Sequence, residues 1–322
     1  MTVLRFLGNL LLALALIVLI MLVLFSAYGV TASRVWETFG LDYAVEDGEW
    51  LWIDEQPIYY RMSGNENGAW LVLVHGFQVE GSETWAANVL PLAKWGMRVV
   101  EVDLRGYGHS VRDTSPQIYD TEEQAYLLAR VLNQLRVQGA TVVGRDRGAA
   151  VALALANEQP QFVKQLVLIA PMVDGEINVA WRPVANVPYL GRAAAWMMDA
   201  GGPLWAVEQK RGFYSVHAMP DDYLASIQKP THIVGTADAL LAMIACRSES
   251  DLSEAISTVS VPVLILLGEE DARVPVTEGR RLEKALSNAK LVVIPEAGHY
   301  VHIEQKAQVN RLIYEFAQRD DQ

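Results

Sequence analysis

The longest apolar stretch of the chain lies near its amino terminus, over residues 6–28, and contains no charged side chain. A helix of about 20 residues is long enough to cross the roughly 30 Å hydrocarbon core of a bilayer. Arg5 and the amino terminus precede the stretch, so the positive-inside tendency predicts a cytoplasmic amino terminus and an exported remainder. Residues 30–32 also resemble a signal-peptide cleavage site, but the apolar stretch is longer than such peptides usually have. The pattern favours a retained membrane anchor.

After a linker over residues 31–41, short apolar runs alternate with amphipathic segments. Residues 49–53 and 57–61 flank a polar turn and predict a β-hairpin. The mostly apolar runs that follow are typical of buried parallel strands, and they cover residues 69–74, 98–104, 140–144, 165–170, 262–268 and 289–295. Helices are predicted between and after them, near residues 85–94, 121–135, 278–286 and 303–319. Asp120 or Thr121 can cap the second helix, with Gln124 as a capping-box partner.

The alternation stops between residues 171 and 258, where the sequence is helix-like and rich in aromatic side chains. Strands that alternate with helices predict an α/β fold, a parallel sheet covered on both faces, here interrupted by a helical insertion. Ligands of such sheets bind beyond the carboxyl ends of the strands. The loops that follow the strands are therefore where chemistry is expected.

Composition excludes several classes of function. The net charge over 322 residues is −12, and the absence of a lysine and arginine cluster argues against a nucleic-acid-binding surface. Cys246 is the single cysteine, so an internal disulfide and a multi-cysteine zinc site are both excluded, and a place in the apolar core is expected for it. The sequence contains no motif for a metal or an organic cofactor.

The run Gly144-Arg145-Asp146-Arg147-Gly148 joins a β-branched strand to an alanine-rich helix. Glycines two positions either side of Asp146 allow a sharp turn, because a Cβ there would collide with the neighbouring strand or helix. Such a turn lifts its central side chain above the sheet, which makes Asp146 a candidate nucleophile. The alternative is that Asp146 simply caps the helix.

Two further residues complete a catalytic pattern. Asp271 follows one predicted strand and His299 follows the next, so the chain order is nucleophile, acid, histidine. Asp174, Glu269 and Glu270 are alternatives to Asp271 as the acid. Three suitable residues after three separate strands are hard to obtain by chance.

A carboxylate nucleophile implies chemistry different from that of a serine. Asp146 is ionised at neutral pH, and Arg145 and Arg147 would favour that form if they lie close. It can attack an sp³ carbon that bears a leaving group, which leaves an alkyl ester that His299, oriented by Asp271, hydrolyses by activating water. The backbone N–H groups of Phe77 and Arg147 are the expected oxyanion donors. The Arg147 side chain could instead hold a substrate anion or form a surface ion pair.

From residue 49 to the carboxyl terminus, the sequence resembles the α/β-hydrolase superfamily. His75-Gly76-Phe77 resembles its oxyanion loop, while the segment 103–110 and the Asp146 turn resemble its epoxide hydrolase and dehalogenase branches. The resemblance implies a hydrolase core over residues 31–172 and 259–322, a helical cap domain over 173–258, and an anchor or signal peptide over 1–30.

The branch is less clearly marked than the superfamily. Haloalkane dehalogenases hold the halide with an Asn and a Trp, and this sequence has Phe77 and Arg147 in those places. Epoxide hydrolases usually have a Pro after the oxyanion-loop motif and a His before the nucleophile, where this sequence has Gln78 and Arg145. Epoxide hydrolases use cap tyrosines to protonate the epoxide oxygen. Tyrosines that could do so here, or that could merely pack, are Tyr189, Tyr214 and Tyr223.

Two hypotheses about function remain. The first is a membrane-tethered hydrolase that acts through an aspartyl ester on a small apolar substrate, an epoxide ahead of an alkyl halide. The second is a hydrolase-fold protein that only binds a ligand or partner. The set Asp146, Asp271 and His299 favours the first, because a binding protein has no need of this histidine.

Overall fold

The computed structural model describes residues 2–45, 47–77, 79, 81–173, 182–187, 189–198, 201–246 and 252–319. These residues form one eight-stranded sheet. Its strands are β1 Glu49–Ile53, β2 Gln56–Gly64, β3 Trp70–Val74, β4 Arg98–Val102, β5 Ala140–Arg145, β6 Val163–Ile169, β7 Val263–Gly268 and β8 Ala289–Ile294. Their spatial order is β1-β2-β4-β3-β5-β6-β7-β8. The pairs β1/β2 and β2/β4 are antiparallel, and all the others are parallel.

Helices precede, cover and interrupt the sheet. They are α1 Thr2–Trp36, α2 Val89–Lys94, α3 Thr121–Gln134, α4 Arg147–Glu158, α5 Arg182–Ala185, α6 Leu190–Met198, α7 Trp205–Arg211, α8 Tyr223–Gln228, α9 Thr236–Ala245, α10 Ser253–Thr258, α11 Val276–Ala285, α12 Val301–Glu304 and α13 Lys306–Ala317. The helices α5 to α10 lie between β6 and β7, where the sequence predicts an insertion. We refer to the described residues between 182 and 258 as the insertion.

Alternate residues of the central strands face two separate cores. Val72 and Val142 belong to a core that includes residues of α3 and α4, whereas Leu73 and Val143 belong to one that includes residues of α2 and α13. Successive side chains of a strand point to opposite faces, so a strand buried on both sides has no polar face. Burial on both faces explains the continuous apolar runs in the sequence.

The predicted fold class is confirmed, and so is the hairpin of β1 and β2. Asp120 caps α3 by accepting the Glu122 N–H at 3.0 Å. The role predicted for Gln124 is wrong: its amide donates to the carbonyl oxygens of Arg105 and Ile118, and so ties α3 to the preceding loop. The predicted final helix divides into α12 and α13 at Gln305, whose backbone is not helical.

The N-terminal helix α1 spans 35 residues and ends at Trp36, so half of the predicted linker is helical. Its mean hydropathy reaches 3.2, and by length and composition it can cross a membrane or serve as a signal sequence. Residues 5–24 are exposed, whereas the carboxyl-terminal part packs against α6.

Candidate active site

The turn between β5 and α4 places Asp146 in a backbone conformation with positive φ, at φ 55° and ψ −123°. Residues with a Cβ rarely adopt positive φ, and such strain clusters at functional sites. A Cβ on Gly144 would lie 2.3 Å from the carbonyl oxygen of Gly148, and one on Gly148 would lie 2.2 Å from that of His75. The sharp turn predicted from the glycine spacing is therefore present, and both glycines are needed for it.

Asp146 stands at the N-cap position of α4, but its side chain makes no capping hydrogen bond. Its backbone fixes the turn instead. The Asp146 N–H donates to Ile169 at 2.9 Å, and its carbonyl oxygen accepts the N–H of Met172 at 3.1 Å. The helix-cap interpretation does not fit this geometry, and the carboxylate remains available for another role.

The loops after β5, β7 and β8 bring three buried side chains together. His299 Nε2 lies 3.9 Å from Oδ2 of Asp146, and His299 Nδ1 lies 3.0 Å from Oδ2 of Asp271. A carboxylate at Nδ1 favours the ring form that carries its proton there, and this leaves Nε2 as a base that faces Asp146.

Two polar atoms of this group are buried and have no hydrogen-bond partner among the described residues. They are Oδ1 of Asp146 and Nε2 of His299. Buried polar atoms are nearly always paired in folded proteins. Both atoms are therefore left for a partner other than the described side chains.

The charges around Asp146 favour its ionised form. Burial by itself would raise the pKa of the Asp146 carboxyl, but His299, Arg145 and Arg273 outweigh it and lower that pKa to about 2. Burial likewise opposes ionisation of Asp271. Its hydrogen bond to His299 and the bonds it accepts from the N–H groups of Arg273 and Val274 lower its pKa.

Arg145 is the buried cation of this site. Its side chain is 0% exposed, and its guanidinium lies 4.7 Å from the centre of the Tyr300 ring. The same ring meets the imidazole of His299 edge to face. Arg145 thus acts on Asp146 as the sequence suggests, while Arg147 is half-buried at the start of α4.

The structure separates the candidate acids. Glu270 accepts the backbone N–H of Ala297, and Glu269 is exposed, so neither carboxylate holds the histidine. Asp174 and Gln78 lie outside the described residues. Of the described candidates, Asp271 is the one that contacts His299.

The loop predicted to stabilise the oxyanion packs directly on the Asp146 carboxylate. A Cβ on Gly76 would lie 2.8 Å from Oδ2 of Asp146, so glycine is required there. Burial lowers the pKa of His75. The His75 ring accepts the Leu104 N–H through Nε2 at 3.0 Å and contacts the Gly76 carbonyl through Nδ1 at 2.7 Å. His75 therefore fixes the loop that carries Phe77.

The three candidate tyrosines lie in different surroundings. Tyr189 is 67% exposed and lines a cavity of about 470 Å³ beside α1 and α9. Tyr223 is buried in an aromatic cluster with Phe213 and Tyr300. Tyr214 is exposed, but its backbone approaches Gly298, the residue before the histidine. Tyr214 and Tyr223 are thus both in contact with the His299 loop, Tyr214 through its backbone at Gly298 and Tyr223 through the Tyr300 ring.

Sequence reasoning missed the contacts between the His299 loop and the insertion. The His299 N–H donates to the Gly212 carbonyl oxygen at 2.8 Å. Glu304 accepts the N–H of Ser215 through Oε1 at 3.0 Å and that of Gly298 through Oε2 at 2.7 Å. One carboxylate thus joins the insertion to the loop. No sequence signal marks this role, because the partners lie far apart in the chain.

The largely parallel sheet, its helical insertion and the sharp turn after β5 define an α/β protein of the hydrolase class. The chain belongs to the α/β hydrolase fold family, which it matches over residues 69–306.

Curated relatives align with most of the chain. It is 26% identical over 290 residues to AB hydrolase superfamily protein YfhM of Bacillus subtilis, covering 80% of this chain and 93% of the relative. It is 28% identical over 285 residues to 2-hydroxy-6-oxononadienedioate/2-hydroxy-6-oxononatrienedioate hydrolase of Burkholderia vietnamiensis, covering 85% and 94%. These matches support a hydrolase.

Solved structures share the fold. The enol-lactonase of Burkholderia xenovorans superposes with a TM-score of 0.69 at 21% identity, covering 84% of this chain and 100% of the lactonase. At that identity the similarity concerns the fold alone.

Proposed function

We propose that this protein is a membrane-anchored hydrolase that opens epoxides through an ester on Asp146, with its catalytic domain on the exported side. The observation that carries the proposal is the carboxylate at the strained turn, with the Asp271–His299 pair 3.9 Å away. An acyl substrate would give an anhydride on Asp146, which gains little over the original ester. An alkyl carbon is therefore the better target for this nucleophile.

In the first step, the unpaired Oδ1 of Asp146 attacks an epoxide carbon. The carbon–oxygen bond of the ring breaks, its electron pair goes to the epoxide oxygen, and that oxygen takes up a proton. Tyr214 and Tyr223 are the candidate donors, because both residues contact the His299 loop. The product of this step is a hydroxyalkyl ester of Asp146.

In the second step, His299 Nε2 removes a proton from water, and the resulting hydroxide adds to the Asp146 carboxyl carbon. Negative charge develops on the Asp146 oxygen next to Gly76, where the N–H groups of Phe77 and Arg147 stabilise it. The intermediate collapses by breaking the bond between the Asp146 carboxyl carbon and the ester oxygen, and that oxygen takes the proton from His299 to complete the diol. The Asp146 carboxyl group then returns a proton to the tyrosine, which restores both the carboxylate and the proton donor.

A single turnover of styrene oxide in water labelled with the heavy oxygen isotope tests this route. Because water attacks the ester carbonyl, the label is expected in Asp146, and the first diol should contain only unlabelled oxygen. Mass spectrometry of the peptide that contains Asp146 measures the label in the protein, and mass spectrometry of the diol measures the label in the product. Label in the first diol would exclude the ester route, and no turnover across epoxides and alkyl halides would favour a binding protein.

The low pKa of Asp146 predicts how ester formation depends on pH. A carboxyl group with a pKa of about 2 is still ionised at pH 4, so acidification from neutral pH should not remove the nucleophile. We expect the single-turnover rate of ester formation, measured by rapid quench and intact mass, to fall less than about twofold between about pH 7 and pH 4.

The variant Arg273→Met provides the comparison, since it removes a charge that lowers the Asp146 pKa. Any acidic loss of rate should move to higher pH in this variant. A steep loss already near pH 5 in the unaltered protein would contradict the charge balance described above.

A further inference from the structure

The described contacts of α1 divide it into an exposed part and a docked part. Residues 5–24 of α1 are exposed. Gly29 and Ser33, nearer the carboxyl end of the helix, are buried, and so is Glu37, which follows that end. At about 1.5 Å per residue, the exposed part alone spans about the 30 Å of a hydrocarbon core. The residues that would emerge from the bilayer are therefore those that are packed against the rest of the protein.

The docked part of α1 fits closely against α6. A Cβ on Gly29 would lie 2.2 Å from the Cβ of Ala193, so the two helices touch at small residues. Arg192 of α6 donates to the Ser33 hydroxyl at 2.9 Å and pairs with Glu37 at 2.9 Å. It also pairs with Asp238 of α9. Cleavage after residue 32 would remove the Gly29 contact and leave part of this interface unfilled.

A second set of contacts joins the end of α1 to the start of α9 and to the segment before it. Glu37 accepts the N–H groups of Gly235 and Ala237, each at 3.1 Å. The Trp36 ring stacks on His232 with centroids 4.0 Å apart. Phe39 forms a parallel β-bridge with Ile233. Every partner of α1 named here belongs to the insertion.

The insertion also contacts the loops of the candidate active site. Gly212 accepts the His299 N–H, and Ser215 donates to Glu304, the carboxylate that also binds the His299 loop. Arg273, which follows β7, donates to the Glu208 carbonyl oxygen at 3.1 Å. These loops lie at the carboxyl ends of the strands. One part of the insertion therefore contacts α1, and another part contacts the loops of the candidate active site.

We propose that the insertion lies against the lipid bilayer, so that the active-site end of the sheet faces the membrane and substrates arrive from the lipid phase. The substrate class is then a lipophilic epoxide that partitions into the bilayer. This inference rests on the proposed function and on retention of α1.

The distribution of exposed apolar side chains supports a lipid partner. Outside α1, thirteen large apolar side chains of the described residues are exposed, and seven of them lie on the insertion. Tyr189 and Val234 line one cavity with Val30 and Arg34 of α1. Two of the seven exposed apolar side chains of the insertion thus adjoin the helix that would enter the bilayer. Aromatic and basic side chains such as Tyr189 and Arg34 are typical of a membrane interface.

The test uses the full chain in phosphatidylcholine nanodiscs, with an environment-sensitive fluorophore on an introduced cysteine. Val234→Cys places it on the insertion, where Val234 is 60% exposed. The control, Asn67→Cys, places it in the exposed turn before β3, at the opposite end of the strands. Both variants carry Cys246→Ala, so that the introduced cysteine is the one thiol that the fluorophore can label. The native Cys246 is free and buried.

Lipid with a doxyl quencher near the headgroup should quench the label at residue 234 several-fold more than that at residue 67. Equal quenching, stronger quenching at residue 67, or cross-linking of residue 234 to a second copy without quenching would overturn the proposal. Intact mass of the purified chain reports separately whether α1 is retained, and its loss would also overturn it.

Activity in the same nanodiscs tests the substrate class with the unlabelled protein. Dodecene oxide should be hydrolysed with a much lower KM than propylene oxide, which stays in water. A preference for propylene oxide would contradict access from lipid. If neither epoxide reacts while residue 234 is quenched, the proposed chemistry fails but the membrane-facing orientation stands.

Discussion

Replacement of His299 by glutamine is expected to leave Asp146 covalently esterified after incubation with an epoxide. The first step uses only the Asp146 carboxylate and a proton donor, whereas the second needs Nε2 of His299 as the base. Loss of a general base costs about 10²–10⁴ in rate. We therefore expect ester hydrolysis to slow by about that factor, so that the intermediate accumulates.

Intact mass measures the result. An epoxide should add its whole mass to the His299→Gln variant, while an alkyl halide would add the mass of the halide less that of the hydrogen halide. Peptide mapping should assign the adduct to Asp146, and the double variant Asp146→Asn, His299→Gln should gain nothing. His217→Gln is the matched control, because His217 is an exposed histidine of the insertion. An adduct on another residue, or full turnover by His299→Gln, would contradict the assigned roles.

Replacement of Asp271 by asparagine should slow hydrolysis of the ester by a factor comparable to that of His299→Gln. The Asp271 carboxylate accepts from Nδ1 of His299 at 3.0 Å, and asparagine in its place can donate to Nδ1 and favour the wrong ring form. In catalytic triads this change costs about 10⁴ in rate. We expect hydrolysis of the ester to fall by roughly 10³–10⁴ while ester formation continues.

Glu270→Gln is the matched control for this prediction. Glu270 is adjacent in sequence and also braces the histidine loop, but it does so through the Ala297 N–H rather than through the ring. Its loss should change hydrolysis by less than about tenfold. Single-turnover kinetics with mass detection separates the two steps in both variants. If Glu270→Gln showed the larger defect in the second step, the assignment of Asp271 as the acid would be wrong.

The sequence by itself determined the architecture, because its signals there are local. Continuous apolar runs predict strands buried on both faces, and the structure has those strands within a few residues. The glycines either side of Asp146 predict the sharp turn for steric reasons that hold wherever the chain goes. The order Asp146, Asp271, His299 then predicts their meeting, since parallel strands end at one edge of the sheet.

The tertiary structure alone decided which residues contact one another across the chain. The sequence offers three adjacent carboxylates of similar chemistry: Glu269, Glu270 and Asp271. The orientation of one tight loop decides that Asp271 forms the hydrogen bond to His299. Gln124 looked like a capping residue, but two loop carbonyls that the local pattern cannot show bind its amide.

The same limit applies to the N-terminal helix and to the loop of the catalytic histidine. Hydropathy predicts that α1 can span a membrane, but it does not predict that Glu37 binds the start of α9 or that Gly29 touches Ala193. Glu304 likewise joins the insertion to the His299 loop through residues that no spacing relates. Periodicity and turn residues act within a few positions of the chain, whereas these contacts depend on how distant segments pack in space.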